Sequence, residues 1–432
     1  MASSRKSQQS PDFRKRIAVA LSGGLDSVVL LDTVCKAVKQ HSQSEVFVFH
    51  IHHGLQKAAD EWLVFCEKLA KHYQVPFDFR LLHLDQSQGN IEARARAGRY
   101  EALANLCEDY GIEDLLLAHH QNDQAETVLL QLMRGAGVAG LSGMPELRYI
   151  AGKSKPMTIW RPLLHQSRAE LEAYAKEHRL QWMEDPSNRN RKYRRNAIRK
   201  DIIPKLEKIQ PQVVANIARS ASLLSEAQGL LDRLALEDGK DILQQASLKV
   251  KPLLAKAKSD MPAANNILRY WLKQNHLAMP SQERLEAWWR DLHSAGADTQ
   301  LQWVHDEQEI RMWRGQLHII PEAAGRWVFK TIKATSKQPG LPTAWVKAAE
   351  RDGVIEFRAR SGSEKLQIRP NTPRKTLKNL FQEADIPPWQ RNAPLLFIEN
   401  QLVAVAGIGV SYPHLVQQGA RVWPEWVQNP VK

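Results

Sequence analysis

The sequence predicts an α/β fold built on a doubly wound parallel sheet, followed by a helical middle domain and a small α+β C-terminal domain. Over the first 150 residues, short apolar runs alternate with longer amphipathic segments, an order typical of a parallel sheet with helical crossovers. From residue 210 to 297, leucine and alanine recur at helical spacing, and strand-like runs then return. The predicted domains are residues 1–215, 216–335 and 344–432, with 336–342 as a linker rich in Pro, Gly and Ser.

The first strand extends from Ile17 to Leu21 and is continuously apolar, as expected of a strand covered on both faces. The sequence Ser-Gly-Gly-Leu-Asp-Ser follows it directly at 22–27. Gly23 and Gly24 let the backbone turn tightly and bring N–H groups close to an anion, while Ser22 is a candidate N-cap of the next helix. The N-terminus of that helix carries unpaired N–H donors and a positive dipole. The segment therefore predicts a binding site for a phosphate or pyrophosphate.

This loop differs from the Walker type, which requires a lysine before its last serine or threonine. It resembles instead the loop of the PP-loop ATP pyrophosphatases. The resemblance implies that the loop holds the β- and γ-phosphates of ATP as leaving pyrophosphate, while a substrate oxygen attacks the α-phosphate. It also implies that Asp26 helps to bind Mg²⁺, a hard cation that prefers oxygen ligands. An ordinary turn between a strand and a helix is the alternative interpretation.

Further strands and helices follow in alternation. The predicted strands are Val46–Ile51, Phe77–Leu84 and Asp114–Ala118, and the predicted helices are Glu61–Tyr73, Asn90–Tyr110 and Asp123–Met133. In a doubly wound sheet, ligands bind beyond the carboxyl ends of the strands. Because Ser22, His52 and His119 all follow strands, we expect these three segments to line one site.

Two other motifs do not carry the chemistry that they suggest. The segment Gly135–Gly140 matches the dinucleotide fingerprint, but it follows a predicted helix instead of a strand and opens no clear helix, so NAD binding is excluded. The histidines at 50, 52, 53, 119 and 120 lack a His-Glu-x-x-His helix pair, so a zinc site is not predicted. Phosphate or backbone hydrogen bonding is a sufficient role for their imidazoles.

A pair of acids stands at the start of the predicted helix after His119 and His120. Asp123 and Glu126 are three residues apart, so on a helix they share one face of the first turn. Such a pair could coordinate Mg²⁺ or hold an ammonium group of a substrate. Compensation of the helix dipole is the alternative, and it explains one acid better than two acids flanked by histidines.

The charge of the chain indicates a polyanionic partner. Sixty Lys and Arg stand against forty-seven Asp and Glu, which gives a net charge of +13. Eight basic residues lie between Arg189 and Lys205, with Asp201 as the only acid. This density is typical of a surface that contacts a phosphate backbone. Tyr193 and Asn196 within the cluster can stack or hydrogen-bond, which favours nucleic acid over a solvated helix.

Cysteine content and hydropathy indicate a cytoplasmic protein with no membrane partner. Three isolated cysteines, without any Cys-x-x-Cys pair, do not predict a disulfide framework or structural zinc. No apolar run approaches the roughly 18 residues of a membrane-spanning helix. Residues 1–16 are basic and serine-rich without an apolar core, so a disordered leader is favoured over a transit peptide.

The C-terminal region predicts a small basic module. Apolar runs at Val354–Arg360, Leu395–Ile398 and Leu402–Ala406 predict strands around a helix at Lys375–Glu383. Before it, in the middle domain, the apolar stripes from Ile267 to Trp289 are most simply helix-packing surfaces. The basic residues of the module are Arg369, Arg374, Lys375, Lys378 and Arg391.

Beyond the loop, the chain resembles the tRNA-isoleucine lysidine synthetases essentially from end to end. One departure is Asn122-Asp123, where this family usually has two adjacent acids, which leaves Asp123 and Glu126 as the acidic pair. The matching pieces are His52-His53-Gly54-Leu55, Glu92-Ala93-Arg94 with Arg99-Tyr100, His119-His120 through Glu126-Thr127, Arg134-Gly135 through Gly140-Leu141, Arg161-Pro162-Leu163, Asp185-Pro186-Ser187-Asn188, and Arg194-Arg195-Asn196 with Arg199.

The resemblance implies a bacterial, ATP- and Mg²⁺-dependent enzyme that ligates free L-lysine to the wobble cytidine of an isoleucine tRNA with a CAU anticodon. A homodimer is a further expectation. The residues implied to bind ATP are Leu21, Ser22, Gly23, Gly24, Leu25, Asp26, Ser27 and His52. The residues implied to be catalytic are Asp26, Arg99, His119, Asp123 and Glu126. The residues implied to bind tRNA are Arg194, Arg195, Asn196, Arg199, Arg369, Lys375 and Lys378.

Two alternatives differ in what they require of the sequence. Another PP-loop enzyme, such as a tRNA thiolase or an amidotransferase-like ligase, would share the first 130 residues. The missing cysteine pair disfavours sulfur chemistry, and the basic cluster disfavours a purely small substrate. A non-catalytic RNA-binding protein would keep the charge but lose loop residues, whereas Ser22 to Ser27 are complete.

Overall fold

The computed structural model describes residues 15–41, 44–52, 58–82, 91–150, 156–184, 191, 194–244, 247–296, 301–320 and 325–428. The chain divides into two compact units, Met1–Leu231 and Asp232–Lys432. The leader before residue 15, the His53-Gly54-Leu55 segment, the 185–190 segment and Tyr193 lie outside the described residues.

The first unit contains a six-stranded sheet in the order β3-β2-β1-β4-β6-β5. Its five strands other than β5 are parallel, and β5 pairs antiparallel with β6 at one edge. The strands are β1 (Lys15–Ala20), β2 (Ser44–His52), β3 (Phe77–Leu81), β4 (Asp114–Leu116), β5 (Leu147–Ile150) and β6 (Met157–Trp160). The parallel strands predicted from the first 150 residues are confirmed, whereas the antiparallel edge strand was not predicted.

Helices cover both faces of this sheet, which confirms the doubly wound fold. Val19 packs in one buried cluster with residues of the first helix, and Ala18 packs in another cluster on the opposite face. This two-sided burial explains why β1 is apolar without alternation. The helices up to residue 238 are α1 (Leu25–His41), α2 (Ala58–Tyr73), α3 (Ile91–Asp109), α4 (Gln121–Leu132), α5 (Val138–Leu141), α6 (Arg168–Glu177), α7 (Arg194–Ala197), α8 (Ile203–Ile209) and α9 (Val213–Asp238), of which α1, α2, α3 and α6 pack on the sheet and α9 crosses the division between the two units.

Strand order places the predicted loop at a topological switch point. The chain proceeds from β1 to β2 and β3 on one side, and β4 pairs with β1 on the other. The segments that follow β1 and β4 therefore leave the sheet side by side, where doubly wound folds bind ligands. The fingerprint-like segment at Gly135–Gly140 follows α4, as predicted, and contains only the single-turn helix α5.

In the second unit, the middle helices pack on an antiparallel sheet that was not predicted. The sheet has the order β7-β10-β9-β8, and Trp271 and Leu317 belong to the same buried cluster. Among the described residues, no helix of either unit is both long and apolar enough to cross a membrane. The elements are β7 (Ser247–Lys249), α10 (Val250–Ser259), α11 (Met261–Gln274), α12 (Gln282–Ser294), β8 (Gln302–His305), β9 (Gln308–Trp313) and β10 (Gln316–Ile320).

The C-terminal elements are β11 (Gly325–Ile332), β12 (Leu341–Pro342), α13 (Thr343–Arg351), β13 (Ile355–Arg358), β14 (Lys365–Leu366), β15 (Lys375–Thr376), α14 (Leu377–Glu383), β16 (Leu395–Ile398), β17 (Gln401–Val405), β18 (Gly409–Val410) and β19 (Arg421–Gln428). The predicted C-terminal strands and helix correspond to β13, α14, β16 and β17, with α14 starting two residues after the predicted Lys375, and the other C-terminal elements were not predicted.

One sheet crosses the predicted linker. Strand β19 pairs with β11, which precedes the 336–342 stretch, and with β12, which lies within it. Leu341 is fully buried in this sheet. The end of the proposed linker is thus a strand, and the proposed boundary at 335–344 runs through a paired sheet.

Candidate active site

The Ser22–Ser27 loop is held by short-range contacts among its own residues. The hydroxyl of Ser27 donates to the Gly24 carbonyl at 2.9 Å and accepts from the Ser22 amide at 3.2 Å. The two serine hydroxyls lie 3.1 Å apart. Because α1 begins at Leu25, Ser22 is not its N-cap as predicted, and its hydroxyl meets Ser27 instead.

Neighbouring strands and loops fix the ends of this loop. The Leu21 amide donates to Phe49, and the buried His50 donates from Nδ1 to the Leu21 carbonyl at 2.8 Å. Burial lowers the pKa of His50, so its ring is neutral. Gly23 has φ +85°, a left-handed conformation that favours glycine, and its carbonyl accepts from Met183. The backbone of the loop is therefore held in place by both of its neighbours.

The loop opens into a cavity of about 600 Å³ within the first unit. The volume lies in the range of small-molecule sites. The predicted residues that line it are Ser22, Gly24, Leu25, Asp26, Glu126 and Arg199. It is further lined by Trp62, His120, Asn122, Arg168, Trp182, Met183, Glu184, Lys200, Ile203, Pro204 and Glu207. Of the described histidines, His120 lines the cavity, and the predicted His52 and His119 do not.

Asp26 is bound by an arginine that the sequence analysis did not select. Arg168 donates from one Nη atom to both carboxylate oxygens of Asp26, at 2.8 and 2.9 Å. His120 Nε2 lies 3.7 Å from the same carboxylate. Arg168 is the first residue of α6, whose N-cap is Ser167, and its backbone N–H donates to Asn122 Oδ1 at 3.0 Å. Asn122 thus ties the starts of α4 and α6 together.

Asp123 and Glu126 form a closed cluster with Arg195 and Arg199. Glu126 is completely buried, and it accepts from Nε of Arg195 at 2.7 Å and from Nε of Arg199 at 2.5 Å. Asp123 Oδ1 accepts from the Nη2 atoms of the same arginines at 3.1 and 3.3 Å. Two carboxylates and two guanidinium groups therefore balance each other.

Local backbone geometry places these four side chains. Arg195 lies on α7, and a π-helical turn at Ile198–Ile202 follows, a rare geometry that is frequent at functional sites. Asp123 also accepts from the His120 backbone N–H at 3.1 Å as the N3 residue of a capping box. Burial opposes charge on Asp123, but His120 and Arg195 outweigh it and lower its pKa. The pKa of Arg199 is raised despite burial, because it bonds Glu126.

His119 does not line the cavity, and its ring contacts a buried arginine. Arg161, only 2% exposed, donates from Nε to His119 Nδ1 at 3.3 Å and from Nη1 to the Pro145 carbonyl at 2.6 Å. Since Nδ1 accepts, the ring proton of His119 lies on Nε2. Burial, assisted by Arg161, Arg195 and Arg99, lowers the pKa of His119 to about 3. His119 is therefore a neutral hydrogen-bond donor at physiological pH.

Arg99 belongs to the same cationic surrounding. Its guanidinium lies 5.8 Å from the ring centre of Tyr100, and Arg96 lies 5.5 Å from that ring. Burial lowers the pKa of Arg99, and the neighbouring Arg96 and Arg195 lower it further. Burial favours the neutral phenol of Tyr100, but the surrounding arginines outweigh it and lower its pKa. The combination favours an anion near Arg99.

The donor set around Asp26 suits Mg²⁺ in part. Among the described residues, no group of three His, Cys, Asp or Glu side chains could hold a metal ion. Mg²⁺ in nucleotide sites commonly takes one or two carboxylates, with phosphate and water completing the shell. Asp26, within the loop, meets that requirement once Arg168 releases it.

Several other predicted residues do not line the cavity. His52 contacts Asp60 at 3.1 Å, and Asn196 is partly buried on α7. Arg369, Lys375 and Lys378 are exposed in the second unit, where Lys375 pairs with Glu383 at 2.7 Å. Burial raises the pKa of all three cysteines: Cys35 to about 11, Cys66 to about 12 and Cys107 to about 12.

Arg161, Arg168, Trp62 and Trp182 are among the residues of this site that the sequence does not single out. The sequence marks Arg168 only by the capping pattern Ser167-x-x-Glu170 before it. Trp62 and Trp182 face the cavity from segments more than 100 residues apart. No local pattern brings such positions together, because their proximity depends on the assembled sheet.

The comparisons with known proteins cover both units. Residues 2–206 match the model of a PP-loop domain, 257–318 the TilS substrate binding domain, and 355–426 the TilS substrate C-terminal domain. Among solved structures, the U34-tRNA thiolase NcsA from Methanococcus maripaludis aligns with a TM-score of 0.41 at 19% identity, over 49% of this chain and 73% of that one.

Curated relatives match over almost the full length. The chain is 36% identical to the tRNA(Ile)-lysidine synthase of Nitrosomonas europaea, over 94% of this chain and 90% of that protein. It is 35% identical to the enzyme of Serratia proteamaculans, over 95% and 94%, and 37% identical to that of Salmonella paratyphi B, over 92% and 93%. With this coverage and three domain models in order, the chain belongs to the tRNA(Ile)-lysidine synthase family.

Proposed function

We propose that this chain ligates L-lysine to carbon-2 of the wobble cytidine of tRNA(Ile) with a CAU anticodon. The carbon-2 oxygen attacks the α-phosphorus of ATP. The phosphoanhydride bond between the α- and β-phosphates breaks, and pyrophosphate leaves. The ε-amine of lysine then attacks carbon-2 and loses a proton, and AMP leaves with the activated oxygen. The products are lysidine-containing tRNA, AMP and pyrophosphate.

The observation that carries this proposal is the composition of the 600 Å³ cavity. One wall is the glycine loop with Asp26, and another contains Glu126 and Arg199 of the acid and arginine cluster. Trp62 and Trp182 add aromatic surface on which a base can stack. Phosphate-binding, charged and aromatic groups thus face one volume at the switch point of the sheet.

The loop and Asp26 serve the activation step. Backbone N–H groups of Ser22–Ser27 and the N-terminus of α1 favour the pyrophosphate leaving group. Mg²⁺, when bound beside Asp26, neutralises charge that develops on the phosphates. Arg168 holds the Asp26 carboxylate in this structure and lies beside the same cavity, so on release its guanidinium can pair with phosphate.

The acid and arginine cluster suits a zwitterionic amino acid. We propose that Asp123 and Glu126 receive an ammonium group of lysine while Arg195 or Arg199 takes its α-carboxylate. Entry of one ammonium together with the α-carboxylate keeps the numbers of positive and negative charges in the cluster equal when the second amino group of lysine stays outside it. A bare cation would leave an excess charge in a buried setting.

The proton released by the attacking amine requires an acceptor in the cavity. His119 is unsuited as that base, because its Nδ1 already accepts from Arg161 and its pKa is about 3. His120 and the carboxylates of Asp123 and Glu126 are the candidates. We propose that His119 and Arg99 stabilise negative charge that develops during the reaction. His119 would do so through its Nε2–H.

The basic residues of both units suit contacts with tRNA phosphates. Arg194 is exposed at the start of α7, and Arg369, Lys375 and Lys378 are exposed in the C-terminal module. Three free and buried cysteines accord with a reducing cytoplasm. A homodimer stays a prediction.

The test is incubation of the purified protein with ATP, Mg²⁺, labelled lysine and a tRNA(Ile) transcript with a CAU anticodon. We expect label in the RNA, together with AMP and pyrophosphate. A transcript with a different wobble base should stay unlabelled, and Asp26→Ala should abolish AMP and pyrophosphate release while tRNA binding persists. AMP release without label in the RNA would contradict the proposed reaction.

A further inference from the structure

The second unit contains a cavity that the proposed chemistry does not use. It measures about 470 Å³ and is lined by four of the chain's thirteen tryptophans, Trp327, Trp389, Trp423 and Trp426, which we call the tryptophan cavity. All four are partly exposed, unlike Trp271 in the helical core, which is 2% exposed. Aromatic rings that line a void leave their faces available to another flat molecule.

The rings are held in defined orientations by different elements. Trp327 on β11 donates from its indole to the Pro394 carbonyl at 2.9 Å and meets Trp426 of β19 edge to face, with centroids 5.7 Å apart. Trp389 lies in the 3₁₀ turn Pro388–Asn392 and packs against His318 at 5.4 Å. These contacts orient Trp327, Trp426 and Trp389 around the tryptophan cavity.

The polar lining can recognise edges of a planar ring. Gln390 and Asn392 are exposed beside Trp389 and carry amides, which both donate and accept hydrogen bonds. The one acid in the lining, Glu425, is paired with Lys330 at 2.5 Å, so its charge is balanced. Stacking faces together with amide donors and acceptors are the features with which proteins recognise an unpaired base.

The net positive charge of the surrounding module indicates which class of ligand the tryptophan cavity binds. Between residues 325 and 428 the chain has fifteen Lys and Arg against eight Asp and Glu, so more than half of the net +13 falls in this quarter of the sequence. A neutral aromatic metabolite would not benefit from this excess, whereas a base attached to a phosphate backbone would.

We propose that the tryptophan cavity binds one unpaired nucleobase of the tRNA substrate, stacked on Trp389. This inference rests on the proposed function, because it takes tRNA as the substrate. It adds a recognition site for a single-stranded part of the RNA in the second unit, whereas the residues assigned to the chemistry belong to the first.

The first test compares tRNA affinities of Trp389→Leu, Trp389→Phe and the control Trp345→Leu. Trp345 belongs to the same module but stacks on His414 and does not line the cavity. Loss of a stacked base should weaken binding by Trp389→Leu roughly tenfold, while phenylalanine retains most of the affinity and the control is unchanged. Wild-type affinity in Trp389→Leu, or equal loss in all three variants, would overturn the proposal.

The second test maps the contact directly with tRNA carrying photoreactive 4-thiouridine. Cross-links to Trp389 or its neighbours in the tryptophan cavity are expected, and cross-links confined to other residues would overturn the proposal. Labelled-lysine transfer at saturating tRNA separates the two claims. Wild-type transfer by Trp389→Leu with unchanged affinity rejects only the base site, whereas absent transfer by the unmodified protein rejects the proposed function.

Discussion

The Ser22–Ser27 loop and the basic cluster between Arg189 and Lys205 differ in where their hydrogen-bond partners lie in the sequence. The loop at Ser22–Ser27 bonds within itself, and its internal hydrogen bonds join residues no more than five positions apart. Arg195 and Arg199 instead bond Asp123 and Glu126, which lie 69 to 76 positions earlier. A local motif shows its own contacts in the sequence, whereas a run of like charges does not show which groups neutralise it.

The comparison changes the interpretation of the basic cluster. The density of arginine predicts a phosphate-binding surface, yet two of these arginines already share a buried carboxylate. Both arginines bond Asp123 and Glu126 in the structure, whereas the neighbouring Arg194 is exposed.

The largest expected effect is that of Glu126→Gln. This carboxylate is fully buried between two guanidinium groups, so its neutralisation leaves two positive charges facing the single carboxylate of Asp123. We expect a loss of about 3–5 kcal/mol in the unfolding free energy, measured by denaturant titration. Glu237→Gln is the control, because Glu237 pairs with Lys240 at the surface and should change stability by no more than about 0.5 kcal/mol. Similar losses in unfolding free energy for both variants would contradict the stabilising role of the Glu126 carboxylate in the cluster.

Gly23→Ala tests the local geometry of the loop. The added Cβ would lie 3.3 Å from Cys66 Sγ, and φ +85° is strained for alanine. We expect a loss of about 1–2 kcal/mol in thermal or chemical unfolding. Gly24→Ala, whose Cβ would meet only Ser22 Oγ at 3.6 Å, should cost less. A larger loss in Gly24→Ala would contradict the backbone account.

The pH dependence of stability tests the surroundings of His119. Its pKa is lowered to about 3, mainly by burial, so the unfolded chain binds a proton below pH 6.5 that the folded chain excludes. Stability should therefore be constant above pH 6.5 and fall as pH decreases toward 3, by on the order of 1 kcal/mol between pH 7 and 5. His119→Gln should remove this component, whereas replacement of the exposed His165 should not. Identical pH profiles of stability for His119→Gln and the wild type would contradict the lowered pKa of His119.

The smallest expected effect is a difference between Arg194 and Arg195 in how they contribute to the salt dependence of tRNA binding. If Arg194 contacts a tRNA phosphate, Arg194→Gln should reduce the slope of log affinity against log salt by about 0.9. Arg195→Gln should reduce it by less than half of that, because its guanidinium is engaged with Asp123 and Glu126. Equal reductions would mean that both arginines reach the RNA.

Much of the fold could be predicted because its patterns are local. Continuous apolar strands, the glycine loop and the C-terminal strand at Leu395–Ile398 were all visible in the sequence. The four-stranded middle sheet and the pairing of β11 with β19 were not, since they join segments far apart in sequence. The site follows the same rule: Asp26 is part of a motif, whereas its partner Arg168 lies 142 positions away.

We propose that Asp123 and Glu126 act in the transfer of lysine and not in adenylation of the wobble cytidine. A rapid-quench assay that separates adenylated tRNA from lysidine-containing tRNA tests it with Asp123→Asn, an isosteric change at a less buried position than Glu126. We predict that adenylated tRNA accumulates because lysine transfer slows more than adenylation. Equal loss of both steps, or loss of neither, would contradict the claim.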